Sequence, residues 1–456
     1  MVQTMDTKGK RWSINLCNAS ILLYVFWLFL PAVQTTGRAV CGVATVGLFV
    51  LGAMLDAESW KKDWLGLLAR AVCIIAMPLI LFFFAARGGE QLLPFFVQNG
   101  MFFFPLLFCG YARLRGDSRL WRWLKPTLLA VVSVTVLTTI FWLVEGMFFR
   151  GDKVYAYSRS LGYAEPGFEA YLKELMLKNI GGYDFVYAMV AALPLTILGM
   201  QHSRGGKKVA YTVLLALQTI MIVLSQYTYA MLYAAVILAV EILAALLRWL
   251  SRGRVRMGTS LLCGLLPLLL FWFLRIPLLR LASGMFAQAG LENFAFSLEQ
   301  LMIALEGGAT DENSRLVHYQ IAMNGIRQSP LFGSLLGGEQ LLSRHSDVLD
   351  MFSGCGLVGT AIIALMLWLM GRGAFRGVDQ HPDRAQLCVV WISVLVTATF
   401  GTVCYSREIM AVAALGTLLV LEGKSVTGDA CGSVASLEME KESASEIGEV
   451  IQDDNA

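Results

Sequence analysis

The sequence predicts an all-α polytopic membrane protein. Three observations carry that prediction. Of 456 residues 57% are hydrophobic and only 15% charged, the mean hydropathy is +0.64, and the apolar residues fall into runs of bilayer-crossing length. Soluble chains carry about 25% charged residues, and a hydrocarbon core of about 30 Å takes roughly 20 residues of helix.

On that ruler spans are expected near 14–33, 38–55, 65–86, 92–111, 126–149, 184–200, 208–225, 228–247, 258–275, 347–370, 385–403 and 406–422. The count is about twelve, with eleven as the alternative. The first run is long and lacks a small-residue cleavage pattern, so it reads as an anchor and not as a signal peptide.

Orientation follows from Lys and Arg in the connections. One side collects Lys8, Lys10, Arg11, Lys61, Lys62, Arg113, Arg115, Lys125, Arg204, Lys207, Lys208, Arg248, Arg252, Arg372 and Arg384, and is read as cytoplasmic. "PAVQTTGR" and "SQYTY", on the other side, are nearly free of positive charge. Both termini then lie inside, in agreement with an even count. The net charge of +3 reflects topology and forms no basic patch, which argues against a nucleic-acid partner.

Two outer connections are long, 150–183 and 276–346, and long loops are commonly functional. In the larger, "GLENFAFSLEQLMIALEGG" places Leu291, Phe294, Leu298, Leu301, Met302 and Leu305 on one helical stripe. A second helix is expected up to Pro330, with Leu316, Tyr319, Met323 and Ile326 as its apolar stripe. Together they predict a folded cap on the outer face. Residues 1–423 form the transmembrane domain, and 424–456, rich in Ser, Glu, Asp and Gly, reads as a disordered cytoplasmic tail.

The nine cysteines are scattered singly, mostly within spans, with no CxxC pair, so neither a disulfide framework nor a thiolate metal site is expected. His318 and His345, with Asp347 and Asp350, lack any metal-site spacing, so no metal and no cofactor is expected. Within spans the expected ionised residues are Glu145, Glu241 and Arg70, each toward an end where snorkelling reduces the cost. That distribution, and the lack of internal repeats, argues against a transporter or flippase, the alternative from another class.

What remains is a basic set in the large loop, Arg280, Arg315, Arg327 and Arg344 beside His318 and His345. Arg315 and His318 share a helix face. Guanidinium groups suit phosphate oxygens, but loop arginines also pair with local acids such as Glu312, Glu339 and Asp347. "LLSRHSDVLDMFSGCGLVGTAII" begins the next span. Ser346 suits the N-cap, and Asp347 and Asp350 suit the first turn. Capping explains every polar residue there except His345.

The segment "SRLVHYQIAMNGIRQSPLFGSLLGGEQLLSRHSDVLDMFSGCGLVGTAII" resembles the hallmark region of the O-antigen ligase and polysaccharide polymerase superfamily of bacterial envelopes. The matching features are Arg315 opening a helix, Pro330 with Gly333 in a turn, His345 with Ser346 and Asp347 before a span, and Gly356 with Gly359 within it. "NIGGYDFVYAMVAALPL" is similar to the Gly-Gly-Tyr approach to a span among polymerases of that group. "SQYTYAML" carries Gln226 where ligases tend to have an arginine, and the Pro-Gly turn is looser than in the family.

The resemblance implies a GT-C-like, metal-independent glycosyltransferase of the bacterial cytoplasmic membrane. It would use a polyprenyl-pyrophosphate-linked oligosaccharide as donor, with membrane lipid, a chain-length regulator and a flippase as partners. Polymerisation into capsule, exopolysaccharide or O-antigen is the first expectation, and a ligase acting on another acceptor is the alternative. Catalysis would fall to His345 as base, Asp347 orienting it or serving as base itself, and Arg315 on the pyrophosphate. Arg344, Arg327, His318 and Arg280 would bind substrate. A further basic residue, such as Arg159, Lys173 or Lys178, would complete the site.

Overall fold

The computed structural model describes residues 2–56, 72, 104–115, 118–146, 149, 169–250, 276–288, 292–306, 315–336, 341–343, 345–375, 378, 383–401 and 406–421. Helix accounts for 89% of it and no strand occurs among the described residues. The helices are α1 (Val2–Phe29), α2 (Pro31–Met54), α3 (Phe104–Arg115), α4 (Ser118–Glu145), α5 (Glu169–Leu177), α6 (Tyr183–His202), α7 (Gly206–Leu224) and α8 (Thr228–Leu250). They continue as α9 (276–288), α10 (Glu292–Leu305), α11 (Arg315–Gln328), α12 (Asp347–Phe375), α13 (Arg384–Phe400) and α14 (407–421).

Among the described residues five helices are long and apolar enough to cross a membrane, or six with the bent α2 counted as one span. Tyr229–Ile242 and Arg384–Thr399 are shorter apolar helices. The expected spans at 65–86 and 258–275 and the tail at 424–456 lie outside the described residues. Large apolar side chains such as Val40, Phe141, Ile242, Leu281 and Leu395 point outward. On a water-soluble protein so many would be an aggregation surface; against lipid they are the expected exterior. "PAVQTTGR", expected as a loop, is instead the start of α2. Pro31 occupies its first turn, where a missing N–H costs nothing, and Pro31–Gly37 meets Val40–Met54 at 88°.

With lipid outside, close packing and interhelical hydrogen bonds hold such a bundle together. Along α1, Ser13 Oγ donates to Gly52 O (2.5 Å) and Ser20 Oγ to Thr45 O (2.6 Å), tying α1 to α2. Two helices lie at the centre. In α6, 72% of the best apolar window is buried, against 22–50% for the other spans. In α14, Ala411, Ala413 and Ala414 are fully buried and Leu415 and Leu418 nearly so. The alanines let neighbouring backbones approach: Cys109 Sγ of α3 donates to Ala414 O (3.5 Å), and Trp391 Nε1 of α13 to Thr417 Oγ1 (3.0 Å).

The loop helix α11 packs on the N-terminal half of α12, with only part of the expected stripe turned inward: Tyr319 and Ile326 are half-buried. Ala322 is fully buried and Gly325 buried, whereas Met323 is 39% exposed. Ala322 and Gly325 lie at the centre of the contact because small residues permit it: a Cβ at Gly325 would overlap Ser353 Oγ. Beyond α11, the turn from Pro330 to Gly333 docks into a break in α12. Gly356 leaves helical geometry there (φ 62°, ψ −172°), so the N–H groups of Leu357 and Val358 donate to Pro330 O (2.9 Å) and Leu331 O (3.0 Å).

Both glycines of this junction have positive φ, and a Cβ on either would strike the other segment's backbone. Gly356→Ala should therefore destabilise by about 2–5 kcal/mol, combining left-handed strain with overpacking. Thermal unfolding in detergent should show a clear drop, while Gly284→Ala, in open space, should show none. Equal melting of the two variants would contradict the docking geometry.

Candidate functional site

Several helix ends converge at one end of the bundle. Asn179 sits in the left-handed region (φ 58°) at a cost of roughly 1–2 kcal/mol. Hydrogen bonds hold it there: Nδ2 donates to Thr135 Oγ1 (3.0 Å) and Thr138 Oγ1 (3.1 Å), and its carbonyl accepts from Thr138 Oγ1 (2.8 Å). Gly181 N–H donates to Thr139 Oγ1 (2.8 Å), and Thr135 Oγ1 donates to Phe29 O. The segment leading into α6 is thereby strapped to α4 and the α1–α2 corner. Tyr183 then packs edge-on against Tyr227, ring centroids 5.1 Å apart, and lies beside Gly401. Asp347 N–H donates to Gly401 O (3.1 Å), which brings the start of α12 to the same place.

The two central helices open with charges at this meeting point. Asp184, partly exposed in the first turn of α6, interacts electrostatically with Glu408, Arg407 and Asp347. Glu408 is buried, and its Oε1 accepts from Gln34 Nε2 at 2.9 Å. Acids at helix N-termini have a structural reason, since the dipole favours them by about 0.3–1 kcal/mol. Arg407 has no such reason. It begins α14 at the end where a cation is disfavoured, its guanidinium lies 5.3 Å over the Trp27 ring, and its Nε is buried without a hydrogen-bond partner. An unsatisfied buried donor costs about 1–3 kcal/mol, while the opposing charge of Asp184 beside it favours the guanidinium.

Beside this cluster stand the two histidines. His318 and His345 pack edge to face, with centroids 4.8 Å apart and planes at 68°. Ser346 Oγ accepts from Leu349 N–H (3.2 Å) as the N-cap of α12, and Ser343 Oγ accepts from the N–H groups of His345 (3.1 Å) and Ser346 (3.0 Å). Asp350 Oδ1 accepts from Ser343 N–H (2.6 Å). Capping contacts are thus made by Ser343, Ser346 and Asp350. Asp347 is buried and acts electrostatically on Asp184, and His345 precedes it by two residues of chain.

No family model matches the chain. Nor did a search of curated proteins find a similar one.

The structure brings together His318, His345 and Asp347 among the residues expected from sequence. Arg315 opens α11 three residues before His318. Arg344 lies outside the described residues. Arg327 is exposed in the last turn of α11, roughly 14 Å along the axis from His318 at about 1.5 Å per residue. Arg280 pairs on the surface with Glu306 (3.6 Å). Of the basic residues suggested to complete the site, Lys178 is held by Glu174 (2.6 Å) and the Trp142 ring (4.7 Å), Lys173 is exposed, and Arg159 lies outside the described residues.

Asp184, Arg407 and Glu408 were missing from the expectation, which counted only Glu145, Glu241 and Arg70 as ionised within spans. The signal was present in "CYSREIM", where an adjacent Arg and Glu open an apolar run. Among the described residues no group of three His, Cys, Asp or Glu side chains is placed to hold a metal ion.

Proposed function

We propose that the chain is an integral membrane glycosyltransferase that polymerises polyprenyl-pyrophosphate-linked oligosaccharide repeats on the outer face of the bacterial cytoplasmic membrane. The observation that carries this reading is the meeting of Arg407, Asp184 and Asp347 beside the His318–His345 pair, at the end of the bundle away from Lys125, Arg204, Lys207 and Lys208. The positive-inside rule assigns the basic end to the cytoplasm, so the cluster faces outward and both termini inward.

In the reaction an acceptor sugar hydroxyl attacks the anomeric carbon of the donor. Its proton passes to His345, or to a carboxylate of the cluster. The anomeric C–O bond breaks, and its electron pair leaves with the lipid pyrophosphate. Arg407 and Arg315 stabilise the charge that grows there, an interaction stronger in the transition state than in the ground state. Tyr183, half-buried and packed against the buried rings of Tyr187 and Tyr227, offers an aromatic edge with a polar tip next to Asp184, suited to a sugar ring that needs both.

Cells lacking the chain should lose long glycan and accumulate lipid carrier bearing one repeat in the outer leaflet. Accumulation of finished, unattached polymer would favour the ligase. The buried Asp347 and Glu408 near Arg407 also support a second reading, because ionisable groups inside a helical bundle suit proton-coupled transport. Under that reading the one-repeat lipid accumulates in the inner leaflet. Orientation is tested separately: cysteines placed at 160 and 310 should react with an impermeant thiol reagent on intact cells, and labelling only after lysis would reverse the assignment.

A further inference from the structure

A second feature lies at the opposite end of α6. A cavity of about 670 Å³ opens among α4, α6, α7 and α14, within the range of about 300–1,000 Å³ typical of small-molecule sites. Lys125 and Arg204 stand at its rim, and its walls are mostly hydrocarbon, including Leu128, Leu195, Val412 and Leu419, with Thr196 and Tyr211 among them. From Arg204 to Met189, both lining residues, α6 and its exit span roughly 22 Å at about 1.5 Å per residue. The cavity is therefore long as well as apolar. It is remote from the Asp184 cluster, which occupies the other end of α6.

The rim is positive on several counts. Lys125 and Arg204 are exposed and, among the described residues, neither is in an ion pair. The N-terminus of α7 follows Arg204 directly, with Lys207 and Lys208 and no acid in its first turn, and such an end favours anions. One acid is near: Asp383 lies 3.5 Å from His202 Nε2, so His202 is turned to its own partner. At the inner end stands Gln218, 1% exposed, whose Nε2 makes only a weak contact with Met189 Sδ (3.6 Å) and whose Oε1 has no partner.

We propose that this cavity binds an anionic membrane phospholipid, with its phosphate at Lys125 and Arg204 and one acyl chain along the hydrocarbon walls. A free phosphate uses only the rim and leaves the apolar length unexplained. A zwitterionic lipid brings a cation to a cationic rim. On the orientation given above the lipid comes from the cytoplasmic leaflet, but the site does not depend on the reaction proposed at the other end. Gln218 limits the depth of the chain, since hydrocarbon against its unpartnered oxygen is unfavourable.

The test is native mass spectrometry of the full chain in detergent, titrated with dioleoyl phosphatidylglycerol, dioleoyl phosphatidylcholine and inorganic phosphate. Phosphatidylglycerol should bind at least about tenfold more tightly than phosphatidylcholine. Lys125→Gln with Arg204→Gln should abolish that preference, and these surface changes leave the core intact. Gln218→Leu should strengthen phosphatidylglycerol binding several-fold, while Ala192→Phe, which fills the cavity, should weaken both lipids. Equal binding of the two lipids, a preference that survives the double substitution, or binding of inorganic phosphate that neither lipid displaces would each overturn the proposal.

Discussion

Arg407→Lys is expected to abolish long-chain glycan while protein abundance stays normal. Lysine keeps the charge but replaces a planar fork of five donors by a point charge, and bidentate contact with pyrophosphate is lost. Removing one preorganised donor from a developing anion costs roughly a hundred- to a thousand-fold in rate. A competing account makes Arg407 a neutraliser for Asp184 and Glu408, with which it shares the cluster. On that account Lys suffices, and the double change Arg407→Met with Asp184→Asn, which removes a charge of each sign, restores activity. If Arg407 binds the leaving group, the double change restores abundance and leaves polymer absent. Near-normal polymer from Arg407→Lys would return this arginine to a structural role.

The second large effect is expected at His345. His345→Ala should reduce turnover by about a hundred- to ten-thousand-fold, the range typical of a lost general base, with normal protein level. Abundance can be separated from turnover in this variant because Ser343, Ser346 and Asp350 accept the local N–H groups of the helix start. Ser346→Ala is the opposite control, costing about 1 kcal/mol of stability through the lost cap and little turnover. His318→Ala should fall between wild type and His345→Ala, since His318 packs its ring against His345 and so positions it. Should His345→Ala make polymer of ordinary length, the histidine merely marks a boundary and the base lies among the carboxylates.

Much of the fold is legible in the sequence because its signals are local. Helix α4 was expected as 126–149 and runs Ser118–Glu145, α7 as 208–225 and runs Gly206–Leu224, and α8 as 228–247 and runs Thr228–Leu250. Pro126 falls within α4, so it marks no boundary there. The cap helices were also legible, one ending before Pro330 as its turn chemistry requires. The inward face of α11 was not. A periodic stripe of large apolar residues points to water-excluded surface, and in a membrane protein lipid competes with the core for that stripe, whereas Ala322 and Gly325 mark the true contact by being small.

The sequence by itself determined the all-helical membrane class, most of the described helical segments and the place of two histidines in the long stretch before α12. Each of these rests on hydropathy, period or composition along the chain. Tertiary structure alone decided which polar residues meet. Asp184, Asp347 and Arg407 are separated by 163 and 60 residues of chain, and no local pattern links them. They come together because two small-residue or fully buried helices, α6 and α14, occupy the centre of the bundle and begin at the same end. Arg407 read as an ordinary charged boundary until packing placed it over Trp27 with its Nε unsatisfied. A single boundary residue looks alike whether it faces lipid headgroups or a site, and only its neighbours from distant helices distinguish the two.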